Sequence, residues 1–172
     1  MDRLRNYDIV FSGLKNGKHE FRFEIDKKFF QLFETEQEFT EPKIVAEILL
    51  EKHTTFLELW FKIFGSINLI CDLSNDSFDH HIESEMSVLV KFGEEYDDSE
   101  IDVITIPKTD FAFNIAQLVY EEVMLSVPMK KVSPHISKED LERVEKFQPQ
   151  EIEEEPKSDP RWDALKNLKD IN

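Results

Sequence analysis

The sequence has few of the residues that cross-link or interrupt a chain. Among its 172 residues there is one cysteine, Cys71, and there are four glycines, each isolated from the others. A single cysteine excludes an internal disulfide, and isolated glycines exclude a glycine-rich loop that cradles phosphate. A Gly-x-Ser-x-Gly motif is also absent. The sequence therefore predicts no catalytic residues and no cofactor.

Long hydrophobic runs are missing as well. No apolar stretch approaches the roughly 20 residues that span a bilayer. The opening MDRLRNYDIV has no hydrophobic core of a secretory signal. Together with the single cysteine, these absences predict a cytoplasmic protein that has no membrane partner.

Positive charge is also scarce. The 21 lysines and arginines face 37 aspartates and glutamates, which gives a net charge of −16. Nucleic-acid affinity comes largely from cations that neutralise phosphates, so this chain is a poor candidate for gripping RNA or DNA by itself. The same charge would attract basic proteins and steer their approach, although solubility alone is the simpler interpretation.

Alternating hydrophobic residues fill much of the first two thirds of the chain. Segments such as HEFRFEI, KIVAEILLEK and IESEMSVLVKF have the period of two that is typical of half-buried strands. Asn16-Gly17 predicts a hairpin between the first two strands, and Gly65-Ser66 predicts a tight turn further on. The fold class is therefore α+β, with a strongly curved antiparallel sheet or a partial barrel.

Two helices are predicted around this sheet. A short one follows an Asp26 cap in DKKFFQLFE, and a longer one begins near Asn114 with Gln117 three residues later. Pro128 ends the longer helix, whose broad apolar stripe suits it to cover one face or end of the sheet.

Composition changes after Pro128. Prolines and acids replace large apolar residues, which predicts an acidic flexible linker over 129–157 after a globular domain over 1–128. The closing segment, 158–172, regains a helical pattern. The chain is thus predicted to have three parts, the last being a short docking helix.

The closing segment has the composition of a recognition helix. Asp159 can cap it and Pro160 suits its first position, while its candidate anchors are Arg161, Trp162, Leu165 and Leu168. So short a helix does not persist alone in water, so it needs a docking surface. Either its own sheet or a partner protein would provide that surface, and the sequence leaves both open.

Cys71 invites a metal interpretation because His80 and His81 follow it within the reach of one hairpin. A structural zinc site takes four ligands, and the chain has no second cysteine. Neighbouring histidines on a strand point to opposite faces. Cys71 lies in phase with Ile67 and Leu69, which favours a small buried apolar residue and no metal site.

Four stretches, taken in order, resemble a known family. They are GLKNGKHEFRFEIDKKFF, GSINLICD, NIAQLVYEEVMLSVP and DPRWDALKNLK. They are similar to the YceD-like family of large-ribosomal-subunit rRNA accumulation proteins, in the form found in Bacteroidetes-type bacteria. Members typically read Cys-Asp-x-Cys where this chain has Cys71 and Asp72 followed by Ser74, so a metal or redox role of paired cysteines would not carry over.

The resemblance implies a non-enzymatic factor for accumulation of the large-subunit rRNA. Its partner would be a basic ribosomal protein or a pre-ribosomal particle of the large subunit, with direct rRNA contact left open. Two rivals are considered beside it. One is a general acidic protein-binding module, including a nucleic-acid mimic, and the other is an enzyme that uses Cys71 as its nucleophile.

Overall fold

The computed structural model describes residues 2–33 and 35–136. A 3₁₀ helix, Asp2–Tyr7, comes first. The strands are β1 Asp8–Val10, β2 Gly17–Ile25, β3 Thr40–Lys52, β4 Phe56–Ile70, β5 Ser77–Gly93, β6 Asp97–Glu100, β7 Val103–Pro107 and β8 Ala112–Asn114. The helices are α1 Lys27–Phe30 and α2 Ala116–Ser126. The prediction of a mostly β fold with few helices is confirmed.

Six strands form one open sheet in the order β2-β3-β4-β5-β7-β6. All neighbours are antiparallel except β5 and β7, which run parallel. The predicted strong curvature or partial barrel is not confirmed, because β2 and β6 end the sheet without pairing with each other. β1 and β8 form a separate two-stranded sheet.

The hairpin predicted at Asn16-Gly17 does not form between β1 and β2. β2 pairs with β3 along its full length, whereas β1 pairs with β8, which places Ile9 opposite Phe113. Both of these side chains are buried. Burial of the β1 residues in the layer that covers the sheet therefore outweighs the local turn signal.

The turn predicted at Gly65-Ser66 is also wrong, because β4 runs unbroken through both residues. Gly65 has a φ of +155°, and a Cβ atom there would lie 2.2 Å from the carbonyl oxygen of Lys43. Glycine is thus required for the close approach of β3 to β4. The chain instead reverses at residues 71–76, between β4 and β5.

The core lies on one face of this sheet. In β4 the side chains of Leu59, Phe61 and Ile63 are buried, while the intervening Trp60 and Lys62 are exposed. This alternation confirms the predicted period of two. The helices and the β1–β8 pair contribute the other half of the core, including Phe29, Phe30, Ile115, Val119 and Val123.

Local capping agrees with the sequence at α1 and differs at α2. The Asp26 carboxylate accepts hydrogen bonds from the N–H groups of Lys28 and Phe29, as predicted for α1. At α2 the Asn114 side chain accepts from the Ala116 N–H at 3.0 Å. Gln117 does not complete a capping box but donates to Glu121 one turn later. Within the described residues, no helix is both long and apolar enough to cross a membrane.

Candidate functional site

Residues 71–76 form a tight, internally bonded turn between β4 and β5. The Cys71 N–H donates to the carbonyl oxygen of Asp76 at 2.8 Å, and the Asn75 N–H donates to that of Cys71 at 2.9 Å. Asn75 has a φ of 61°, a left-handed conformation that asparagine tolerates better than most residues. The turn is therefore fixed by its own backbone and presents the Asp72 and Ser74 side chains at its surface.

The chain that follows α2 returns to this turn. The Asp72 N–H donates to the Lys131 carbonyl oxygen at 2.8 Å, and the Lys131 N–H donates to the Asp72 carboxylate at 2.7 Å. The Lys131 ammonium group pairs with Glu38. A reciprocal pair of hydrogen bonds thus attaches the segment 131–136 to the turn.

Cys71 lies beneath this attachment. Its side chain is buried, and its sulfur accepts a hydrogen bond from the Ser133 N–H at 3.3 Å. That bond, followed by those from the Ser74 N–H and hydroxyl, lowers the pKa of Cys71 to about 7, although burial acts in the opposite direction. N–H and O–H groups that point at a sulfur favour the thiolate.

Ser74, the position at which the family resemblance leads us to expect a second cysteine, hydrogen-bonds to the Cys71 sulfur through its side chain. The geometry thus brings the two motif positions together, with a hydroxyl in place of a thiol. Cys71 is only 1% exposed. A nucleophile must reach its substrate, so this arrangement suits a role in holding the segment 131–136 better than one in attack on a substrate.

The histidines near this turn do not join it. His80 lies opposite Ile67 and His81 opposite Ser66, on opposite faces of the sheet, as predicted for neighbours on a strand. A different group could offer metal ligands, since the ligand atoms of Glu51, His53 and Glu58 lie within 4.8 Å of one another.

The His53 Nε2 of this second group has no hydrogen-bond partner among the described residues. The His53 Nε2 lies 3.6 Å from the Glu58 carboxylate and 4.0 Å from the Glu51 carboxylate. Glu51 also lies 3.8 Å from the Lys18 ammonium group. Three donors, one of them shared with a lysine, fall short of the four that a structural zinc ion takes.

Sequence reasoning missed Lys131 and Ser133, which complete the Cys71 turn. They follow Asp72 and Cys71 by 59 and 62 residues, and no local pattern marks them. The predicted partner-binding residues Asp159, Pro160, Arg161, Trp162, Leu165 and Leu168 lie outside the described residues. The domain boundaries near 128 and 157 stay a prediction.

Comparison with known proteins gives one match. Residues 59–169 match the family described as large ribosomal RNA subunit accumulation protein YceD, over more than half of the chain. The chain belongs to this family. The matched region begins in β4 and includes the Cys71 turn, α2 and the predicted anchors of the terminal segment. No curated protein and no solved structure gives a match.

Proposed function

We propose that this protein is a non-enzymatic factor that supports accumulation of the large-subunit rRNA during ribosome assembly in the cytoplasm. The observation that supports this most strongly is the family match over residues 59–169. The match includes the turn that fixes Cys71 and also the closing DPRWDALKNLK segment. The proposed role thus draws on both the folded domain and the tail.

The proposed partner is a basic ribosomal protein of the large subunit, free or in a pre-ribosomal particle. A net charge of −16 favours basic proteins over RNA, since RNA phosphates would be repelled. An acidic factor could shield such a protein from unspecific contact with rRNA until delivery. Complex formation would then weaken as salt screens the charges.

The proposed anchors are in the terminal segment. Asp159 and Pro160 would start a short helix, and Arg161, Trp162, Leu165 and Leu168 would contact the partner. Tryptophan and arginine are the commonest side chains to dominate an interface. Within the predicted acidic linker 129–157, the part that follows the attached segment 131–136 would connect this helix to the domain and let it reach the partner.

The first experiment is a co-elution assay with the full chain. The protein is mixed with purified large-subunit ribosomal proteins, and separately with large-subunit rRNA, at low and high salt. We expect capture of one basic protein, weakened by salt. Trp162→Ala should weaken it by more than about 1 kcal/mol, which is about fivefold.

The second tryptophan provides a matched control. Trp60 is 39% exposed on the outer face of β4, so Trp60→Ala removes the same side chain from a different surface. Equal losses in the two variants would contradict the assignment of the terminal anchors. A Trp162→Ala variant that melts earlier but binds normally would make the terminal segment an internal support.

Cell measurements separate this proposal from its rivals. Depletion of the protein should lower large-subunit rRNA relative to small-subunit rRNA, and Cys71→Ser should restore it. Failure of Cys71→Ser to restore the rRNA level, despite normal folding, would favour the enzyme hypothesis.

Capture of rRNA in place of a basic protein, or binding that high salt leaves unchanged, would refute the proposed role of shielding a basic ribosomal protein. Full activity of a chain that lacks the part of the predicted linker beyond Ile136, residues 137–157, would favour the general acidic module or nucleic-acid mimic.

A further inference from the structure

A cleft of about 520 Å³ opens on the core-facing side of the sheet, beside β5, β6 and β7. Its other wall comes from β8 and the first turns of α2. The floor is apolar and largely buried, and it consists of Met86, Val88, Ile104, Ile106, Ala112, Phe113 and Leu118. An open apolar floor of this kind can accept a side chain from another molecule.

All of the charged side chains that line this cleft are carboxylates, and they lie at its rim. Its carboxylates are Asp8, Asp98, Glu100, Asp102, Asp110 and Glu121. They come from β1, β6, the β6–β7 turn, the β7–β8 loop and α2, and no lysine, arginine or histidine is among the lining residues. Among the described residues only Glu100 has a basic neighbour, with the Lys91 ammonium at 3.8 Å.

Exposed apolar side chains continue the cleft at the surface. Tyr96, which lines it, is 59% exposed, and Ile101 and Phe111 next to the rim residues are 89% and 64% exposed. The pKa of Tyr96 is raised, first by burial and then by the neighbouring Asp98 and Glu121 carboxylates. A cluster of exposed apolar groups beside uncompensated charge is typical of an interaction surface.

The outer face of the sheet has the opposite character. A broader concavity of about 860 Å³ there is lined by Arg22 and Lys62 as well as by acids. Arg22 lies 2.9 Å from Glu47, and Lys62 lies 3.3 Å from Glu85. Both cations that line the outer concavity are thus paired within the protein, whereas no cation is among the described residues that line the cleft.

We call this cleft, with its apolar floor and its six rim carboxylates, the rim acid cleft. We propose that it binds a segment of a basic protein, which would place an apolar side chain on the floor and arginine or lysine side chains against the rim. The inference rests on the proposed function and gives its basic partner a place on the folded domain. Charge complementarity selects this occupant, since six carboxylates without a cation in the lining repel phosphate and attract guanidinium or ammonium groups. None of its lining residues is among the predicted terminal anchors.

The test uses the full chain and a fluorescent peptide that alternates arginine with leucine. The cleft variant Asp98→Asn/Asp102→Asn/Glu121→Gln keeps side-chain size and removes three rim charges. Asparagine also tolerates the left-handed φ of 59° at Asp102. Fluorescence anisotropy at low salt should show binding that is about tenfold weaker, as expected when three surface ion pairs are lost.

A control variant removes the same charge from the outer face. Glu20→Gln/Glu24→Gln/Glu83→Gln should change affinity less than about twofold, since diffuse net charge contributes little beyond the Debye length. Equal losses in both variants would overturn the cleft and leave only a net-charge effect. Thermal melts show whether each variant is folded. A further variant, Gln117→Arg, adds a cation to the rim and should also weaken binding of the peptide.

Two further peptides test the floor and the sign of the charge. A peptide that alternates arginine with serine should bind about fivefold more weakly, and one that alternates glutamate with leucine should not bind. Equal affinity of the leucine and serine peptides, or no binding of either, would overturn the inference. The peptide results test only the cleft. The proposed function is tested separately, by capture of a ribosomal protein and by rRNA levels in cells.

Discussion

The Cys71 turn and the rim acid cleft lie towards opposite ends of β5, and their acids differ in what surrounds them. At the turn, the Asp72 carboxylate and the Cys71 sulfur both accept hydrogen bonds from the protein's own N–H groups. At the cleft, three carboxylates accept hydrogen bonds from neutral side chains, but five of the six have no basic neighbour in the described part of the chain. Ser77, where β5 leaves the turn, and Met86, the first β5 residue that lines the cleft, are roughly 30 Å apart along the strand, at about 3.4 Å per residue.

An acid that joins two distant segments by hydrogen bonds therefore differs from acids that lie together without a cation beside them. An acceptor filled from within stabilises the fold, and its removal exposes a donor that has lost its partner. An exposed carboxylate among other carboxylates is repelled by them and contributes to stability only when a cation arrives. In so acidic a protein, composition alone cannot distinguish these two kinds of acid.

The largest effect is expected from Gly65→Ala, which tests whether the Cys71 turn and the rim acid cleft depend on the same cooperative sheet. Gly65→Ala places a Cβ atom 2.2 Å from the Lys43 carbonyl oxygen and 2.6 Å from the Ile44 Cα atom. Because backbone must move to relieve these contacts, we expect a loss of more than about 3 kcal/mol in the free energy of unfolding. Urea titration measures it.

Gly13 provides the matched control, because a Cβ atom there would meet nothing within 4 Å. Gly13→Ala should leave stability within about 1 kcal/mol of the wild type. If hydrogen exchange in Gly65→Ala rises at the turn but not at the cleft, the two ends do not share one cooperative sheet. Similar stability of the two variants would contradict the close approach of β3 to β4.

A pair of aspartates tests the comparison directly. Asp72→Ala removes the acceptor of the Lys131 N–H, and we expect a loss of about 1–2 kcal/mol in unfolding free energy. Asp110→Ala removes the same side chain from the cleft rim, where it lies among other acids, and should change stability by less than about 0.5 kcal/mol. Chemical denaturation of both variants measures the difference, and equal losses would remove the distinction between the two ends.

The Cys71 thiol predicts a pH dependence. Hydrogen bonds from Ser133 and Ser74 lower its pKa from an ordinary value of 9.0 to about 7 in the folded protein. A lowered pKa stabilises the fold fully above pH 9, and this contribution disappears as the pH falls through 7. Stability should therefore rise between these values in the wild type but less in Cys71→Ser. Parallel curves for the two proteins would contradict the hydrogen bonding of the sulfur.

The smallest expected effect is a change in the pKa of Tyr96, which reports the electrostatic field of the carboxylates in the cleft. The pKa of Tyr96 is raised by burial and by Asp98, which also accepts its hydroxyl hydrogen bond at 3.3 Å. Asp98→Asn should move the pKa of Tyr96 back towards its ordinary value. Titration of the Tyr96 ring followed by NMR measures the change. No change would mean that the rim charges are screened from the cleft and attract a partner weakly.

The sequence predicted the parts of this fold that repeat over a few residues. Alternation located the faces of β2–β5, and Asp26 marked the start of α1, because these signals depend only on neighbours along the chain. The role of a glycine is harder to predict. The Gly65-Ser66 pair predicts a turn, because the sequence does not distinguish a turn from the close approach of two strands.

Long-range pairing was beyond the reach of the sequence. The contact of Ser133 with Cys71 and the partnership of β1 with β8 join residues far apart, and neither leaves a local pattern. The cleft is the clearest example, because its acids come from five separate parts of the chain. Each is unremarkable in the sequence, and only the fold brings them to one rim.

The pairing of β1 with β8 has a consequence for how the chain folds during synthesis. Asp8 lies beside Asn114, so β1 cannot pair with β8 during synthesis until more than a hundred further residues have followed it. Such late contacts slow folding, since the loop between them must close first. Until then Ile9 and Phe11 stay uncovered, and the nascent protein depends on the antiparallel run of β2 to β5 as its early scaffold.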